Sequence, residues 1–126
     1  GPRLICTPEA DGGQWYKRMI LETDEEGTII TKSLTGKTTR AFATAEVRAY
    51  EAARLSGATA ADLKPYERAV RQGRKQGDSY DGSRQAVVGQ VCGMLKAESS
   101  IKPAAQVIEE MIVEAADLAR KTMALI

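Results

Sequence analysis

The chain has 126 residues, 43% of them hydrophobic, which is enough for one domain with one core. It contains no histidine, which excludes Ser-His, Cys-His and histidine-metal chemistry for this chain acting alone. The net charge of +1 is unevenly spread: residues 1–27 hold three basic and six acidic side chains, residues 28–76 ten and four, and residues 77–126 five and seven. A basic middle section predicts either one electropositive face or charge complementarity within the chain.

The cysteine count and the absence of long apolar runs bear on location. Cys6 and Cys92 are too few for a disulfide framework or a thiolate zinc site, so we expect the cytoplasm or another reducing intracellular compartment. No run approaches the roughly 18 apolar residues of a membrane span, which predicts a soluble protein that does not interact with membranes. Gly1 and Pro2 are typical of the remnant of a cleaved purification tag, so the natural protein could be longer at either end.

The first part of the chain is predicted to be an arm followed by strands. Residues 1–14 are rich in glycine and proline and predict a flexible N-terminal arm, with residues 15–126 as a single domain. Residues 15–22 and 28–34 are rich in aromatic and β-branched side chains on either side of an acidic turn that ends at Gly27, which predicts a β-hairpin. Residues 38–42 are expected to add a third short strand.

The rest of the chain has helical spacing. Thr44 is expected to cap a first helix that ends at Gly57, and a second helix is predicted from Pro65, at its first position, to about Gln76. A third is predicted from near Ser83 to Leu95, and a fourth from Pro103 to the C-terminus. The apolar residues of the fourth helix recur at helical spacing: Ile108, Met111, Ile112, Ala115, Leu118, Ala119 and Met123. The predicted fold class is therefore α+β, with an N-terminal antiparallel β-hairpin or small three-stranded sheet followed by about four α-helices.

The second predicted helix carries basic residues at spacings that place them on one face. This basic face consists of Lys64, Arg68, Arg71 and Lys75, with Arg74 beside them. Such a face could neutralise several phosphates of DNA or RNA, and it could equally be an ordinary solvated helix surface.

Two glycines lie four residues apart within the third predicted helix. Gly89 and Gly93 each weaken a helix by roughly 1 kcal/mol relative to alanine, so a compensating close contact is expected. That contact is either packing against the fourth helix of the same chain or a seam with a second copy of the chain.

One segment resembles a known family. Strands followed by the sequence from Arg40 to Val47 and a helix are similar to the arm-site DNA-binding domain of phage tyrosine recombinases, over residues 14–57 only. The resemblance implies a three-stranded sheet that enters a DNA groove, with Tyr16, Arg18, Lys32 and Arg40 on its exposed face.

These observations leave three hypotheses for function. The leading one is a non-catalytic binding module that contacts nucleic acid through the basic face. The alternative is a protein interaction or assembly module, with a protein partner or itself, that uses the apolar C-terminal helices. The third is an enzyme that works through carboxylates or lysine, which we rank last because no spacing gathers such groups into a catalytic set. The sequence predicts no metal site and no cofactor.

Overall fold

The computed structural model describes residues 1–73, 86–95 and 101–126. In chain order the elements are α1 (Pro2–Ile5), α2 (Gln14–Glu22), β1 (Thr28–Thr31), β2 (Thr39–Phe42), α3 (Ala45–Leu55), α4 (Ala60–Gly73), a 3₁₀ helix (Gln90–Leu95) and α5 (Ala104–Met123). A two-stranded antiparallel hairpin combined with helices confirms the predicted α+β class. Two helices precede the hairpin, so it does not open the chain.

The hairpin lies further along the chain than predicted. β1 pairs with β2 so that Ile29 is opposite Ala41, and the loop between them contains Gly36 at a φ of 74°. Residues 15–22, expected to be the first strand, form α2 instead, and that prediction is wrong. Met19 and Ile20 follow two aromatic residues by four positions, so helical spacing gathers all four on one face, where they contact the core.

Residues 86–88 are extended where a third helix is predicted. The backbone N–H of Phe42 donates to the carbonyl of Ala86, and that of Val88 donates to the carbonyl of Arg40, each at 3.1 Å. Residues 86–88 thus lie beside β2, and the following helix is a short 3₁₀ helix, so the prediction of an α-helix here is wrong. Consecutive valines favour extended backbone, and the two glycines lower helix propensity.

α3 begins and ends as its sequence predicts. The Thr44 hydroxyl accepts a hydrogen bond from the Val47 N–H at 3.4 Å, which caps the helix. The chain leaves the helix at Gly57, whose φ of 87° is a conformation that glycine adopts readily.

α4 continues through Pro65 without a break, so the prediction that this residue starts a separate helix is wrong. The helix begins five residues earlier because Thr59 and Asp62 form a reciprocal cap. The Asp62 carboxylate accepts from the Thr59 N–H at 3.0 Å, and the Thr59 hydroxyl accepts from the Asp62 N–H at 3.2 Å. Burial of Leu63 and Val70 against the domain further offsets the cost of the proline.

Two clusters of buried apolar side chains form the core. One joins the N-terminal segment (residues 1–13), α2, β2 and the chain from residue 88 into the 3₁₀ helix: Cys6, Met19, Ile20, Phe42, Val88 and Cys92. The other joins the hairpin to α3 and α4: Leu34, Ala41, Val47 and Val70. Residues 1–14, expected to be a flexible arm, thus contribute Cys6 to the first cluster. None of the helices in the described ranges is both long enough and apolar enough to cross a membrane.

Candidate functional site

The C-terminal helix α5 exposes most of its apolar side chains. Its position after Pro103 and its 20-residue length agree with the sequence prediction. Val107 is buried, with 3% of its surface exposed, whereas Ile112 is 64% and Leu118 66% exposed. We call the exposed apolar residues of the helix the α5 face: Ile108, Met111, Ile112, Val113, Leu118 and Met123. A helix with so many exposed large apolar residues is typical of a surface that another polypeptide covers.

Polar contacts hold the first half of α5 against the beginning of the chain. Both carboxylate oxygens of Glu9 lie 3.1 Å from the backbone nitrogen of Ala104, which donates to them. Arg3 donates to Glu110 at 2.9 Å, and its guanidinium lies 3.6 Å from the Glu114 carboxylate. The hydrogen bond from Lys102 at 3.1 Å is the main reason that the pKa of Glu110 is lowered, so this carboxylate stays ionised.

Lys17 of α2 fixes the loop that carries Glu9. Its side chain is 1% exposed, and its ammonium donates to the carbonyls of Thr7 at 2.6 Å and Ala10 at 2.9 Å. The loop is therefore wrapped around a buried charge. The burial of Lys17 could not be predicted from the sequence, because a lysine in a predicted strand is expected to face solvent.

The structure brings three of the five predicted basic-face residues together. Lys64, Arg68 and Arg71 lie exposed along α4 and, with Glu67, line an open concavity of about 400 Å³. The Glu67 carboxylate lies 3.7 Å from the Arg71 guanidinium and offsets part of the positive charge. The other two predicted residues, Arg74 and Lys75, lie outside the described residues.

The two predicted seam glycines do not lie in an α-helix. Gly89 precedes the 3₁₀ helix and Gly93 lies within it. A Cβ added at Gly89 would lie 3.7 Å from the side chain of Pro2, an ordinary contact distance. The neighbour that the structure gives Gly89 is therefore α1 of the same chain.

The recombinase-like arrangement is absent from residues 14–57, all of which the structure describes. Tyr16 and Arg18 belong to α2 rather than to a strand, and the sheet has two named strands. The Tyr16 ring packs edge-on against Phe42 at 5.9 Å between centroids, and its hydroxyl donates to the carbonyl of Val87. Tyr16 thus packs against the core from α2, and the expectation that it lies on an exposed strand of a three-stranded sheet is wrong.

Several described titratable groups have shifted pKa values. Burial raises the pKa of the Cys6 thiol, although the nearby Lys17 opposes this, so the sulfur is kept in its unreactive protonated form. The described carboxyl groups with shifted pKa values are Glu51, Asp62 and Glu110, and all three pKa values are lowered, whereas a general acid needs a raised one. No group of three or more metal-ligating side chains occurs in the described ranges.

Comparison with known proteins gives a likeness of fold alone. The sequence matches no protein-family model and no curated protein. Among solved structures, the chain is similar over its whole length to FabK from Thermotoga maritima, with a TM-score of 0.70 and 22% identity, and to the M276A mutant of the same protein, with a TM-score of 0.66 and 23% identity. The match covers 39% and 36% of those chains, so this chain spans less than two fifths of their length.

Proposed function

We propose that this chain is an assembly module of a FabK-type enzyme: it packs the α5 face against a protein segment equivalent to the part of FabK outside the match. The observation that carries this proposal is the exposure of the α5 face on a chain whose fold corresponds to 39% of FabK. The covering segment is either joined to this chain or supplied by a separate polypeptide. In either case its role here is structural.

The energetics of the α5 face support docking. Burying one large apolar side chain contributes about 1.5–3 kcal/mol, so the α5 face could contribute several times that amount. Association and side-chain ordering cost about 4–15 kcal/mol, which such a face can offset only when most of its members are covered together. Partner and module should therefore meet along several turns of α5.

Site-specific crosslinking in source cells tests the proposal. A photoactivatable amino acid at Ile112 of α5 should capture a polypeptide, or a segment of the same polypeptide, that mass spectrometry identifies as similar to the uncovered part of FabK. The matched control is the same amino acid at Leu55 on α3, which is 76% exposed but lies outside the α5 face. Capture of an unrelated protein at Ile112, or equal capture at both positions, would refute the proposal.

Binding of nucleic acid through the basic face is a second candidate function. Its support is that Lys64, Arg68 and Arg71 share one exposed surface of α4. Replacing Arg68 and Arg71 by alanine should weaken binding to DNA or RNA and reduce the dependence of affinity on salt. A control pair is Arg120→Ala with Lys121→Ala on α5. Equal affinities of the two double variants for DNA and RNA would contradict binding through the basic face.

Self-association through Gly89 and Gly93 is a separate assembly proposal, in which the partner is a second copy of the chain. If the two glycines form such a seam, light scattering should give the mass of a dimer, and Gly93→Leu should reduce it to that of a monomer. A monomeric mass for the unmodified chain at every concentration would exclude the seam.

The two buried cysteines support a proposal for where the protein is located. Cys6 and Cys92 are both buried thiols and are not joined in a disulfide. Core cysteines kept as thiols are typical of the cytoplasm and other reducing compartments, where we expect the protein to act.

A further inference from the structure

The N-terminal segment, residues 1–13, touches α5 at the exact point where that helix begins. Ala104 is the first residue of α5, and its N–H has no partner inside the helix. The Glu9 carboxylate accepts this hydrogen bond with both oxygens and places a negative charge at the positive end of the helix dipole. Glu9 thus fixes the start of the helix by charge as well as by hydrogen bonding.

Arg3 makes a second attachment further along the helix. Its guanidinium lies 2.9 Å from Glu110 and 3.6 Å from Glu114, which are one turn apart. The side chains of Arg3 and Glu110 are 19% and 29% exposed, so water screens this ion pair less than it screens an ordinary surface pair. The Glu114 side chain is 66% exposed, so its pair with Arg3 is the weaker of the two. Six residues separate Ala104 from Glu110, which is about 9 Å along a helix axis. Because the two attachments lie this far apart, they fix the direction of the α5 axis as well as the position of its first residue.

The segment is itself held in place by the domain. The buried Lys17 ammonium donates to Thr7 and Ala10, the residues on either side of the loop portion that contains Glu9. Because Lys17 belongs to α2, whose Met19 and Ile20 lie in the core, the loop moves with the core. Core, loop, Glu9 and α5 therefore form one chain of contacts.

We infer that the N-terminal segment is a polar latch that sets the direction in which α5 leaves the domain, and hence where the α5 face points. Val107 is the buried residue of α5, so apolar packing alone gives this helix little hold. The relevance of the latch to docking rests on the proposed function, but the orientation of the helix is a property of the chain alone. Ion pairs that fix this orientation should weaken as salt rises.

Electron spin distance measurements test the latch on the full chain. Labels attached through non-cysteine chemistry at Leu55 of α3 and Leu118 of α5 should give one narrow distance distribution at low salt. Arg3→Met combined with Glu9→Ala should broaden it, and so should about 1 M salt on the unmodified chain, which involves no substitution that could impair folding. Lys121→Gln, at the far end of α5, is the matched control and should leave the distribution narrow.

Two results would overturn the inference: a broad distribution in the unmodified chain at low salt, or a narrow one in the Arg3→Met, Glu9→Ala variant. Circular dichroism of that variant should retain the helical signal, which separates a released helix from an unfolded domain. The crosslinking experiment at Ile112 tests docking separately. Distance measurements that contradict the latch would not contradict docking of the α5 face. A failure to crosslink a partner at Ile112 would not contradict the latch.

Discussion

Among the described residues, Lys17 and Glu51 are charged side chains that are buried, and each is held at least in part by backbone groups. Lys17 binds two carbonyls of the N-terminal segment, and Glu51 of α3 accepts from the backbone N–H of Lys32 at 3.4 Å and from Arg54 at 2.7 Å. Each therefore joins a helix to a loop at the edge of the core. Neither could be predicted from sequence, because the buried partners come from distant positions and a single charged residue carries no periodic signal.

We expect Glu51 to make the stability of the fold dependent on acid. Burial of Glu51 raises its pKa, but hydrogen bonds from Thr31 and Arg54 outweigh this and lower the pKa below its ordinary value of 4.5. The ionised carboxylate thus stabilises the fold fully above about pH 4.5, and this contribution is lost as the pH falls through the lower pKa of the folded state. In urea unfolding, Glu51→Gln should cost about 2 kcal/mol at neutral pH and less in acid.

Glu25→Gln is the control for this experiment, because Glu25 lies exposed in the turn before β1. It should change the free energy of unfolding by less than about 0.5 kcal/mol at either pH. If the cost of Glu51→Gln is as large in acid as at neutral pH, the contribution does not come from the ionised carboxylate.

Lys17→Met should destabilise the chain although it removes a buried charge. The substitution removes two hydrogen bonds from the Lys17 ammonium, so that the Thr7 carbonyl keeps only the Ala10 N–H and the Ala10 carbonyl only the Gly12 N–H. Losing hydrogen bonds from a charged donor costs about 2 kcal/mol or more. The neighbouring Arg18→Met, at an exposed position of the same helix, should stay within about 0.5 kcal/mol. Equal free energies of unfolding for the two variants would show that the loop does not depend on Lys17.

At the scale of elements, two local end signals predicted helix starts correctly, the one at Pro65 did not, and composition predicted poorly. Thr44 and Pro103 mark the starts of α3 and α5 correctly, because a cap or a proline acts within one turn of the helix. The aromatic content of residues 15–22 favours a strand, although their spacing favours the helix that they form. Residues 86–88 have helical spacing, yet they become extended because β2 offers hydrogen bonds that only the folded chain brings near.

Pro65 is an unfavourable residue within α4, and its replacement should stabilise the fold. Pro65 lacks the N–H that would bond to the carbonyl of Ala61, so Pro65→Ala should restore that bond and raise the free energy of unfolding by about 1–2 kcal/mol. Pro8→Ala, at an exposed position outside the helices, is the control and should lower it slightly, since it only frees the unfolded chain. A loss of stability in Pro65→Ala would mean that the ring makes contacts worth more than the missing bond.

For the molecule as a whole, the core and the α5 face have separate roles. α2, the hairpin, α3 and α4 contribute side chains to the two core clusters. α5 instead buries Val107 and exposes its other large apolar side chains. The sequence predicted the apolar stripe of α5 but not its exposure, because periodicity shows that residues share a face and not what covers that face. The likeness to FabK adds that this fold occurs within a longer chain.

This division predicts opposite responses to substitutions within a single helix. Ile112→Gln combined with Leu118→Gln should change the free energy of unfolding by less than about 0.5 kcal/mol per site, because both side chains are exposed in the domain. Val107→Ala, at the buried position, should cost about 2 kcal/mol through lost burial and a cavity. Urea unfolding measures both, and binding of a fluorescent apolar dye should fall in the glutamine variant alone. A cost at Ile112 and Leu118 equal to that at Val107 would mean that the domain covers the α5 face itself, and the face would then be part of the core instead of a surface for assembly.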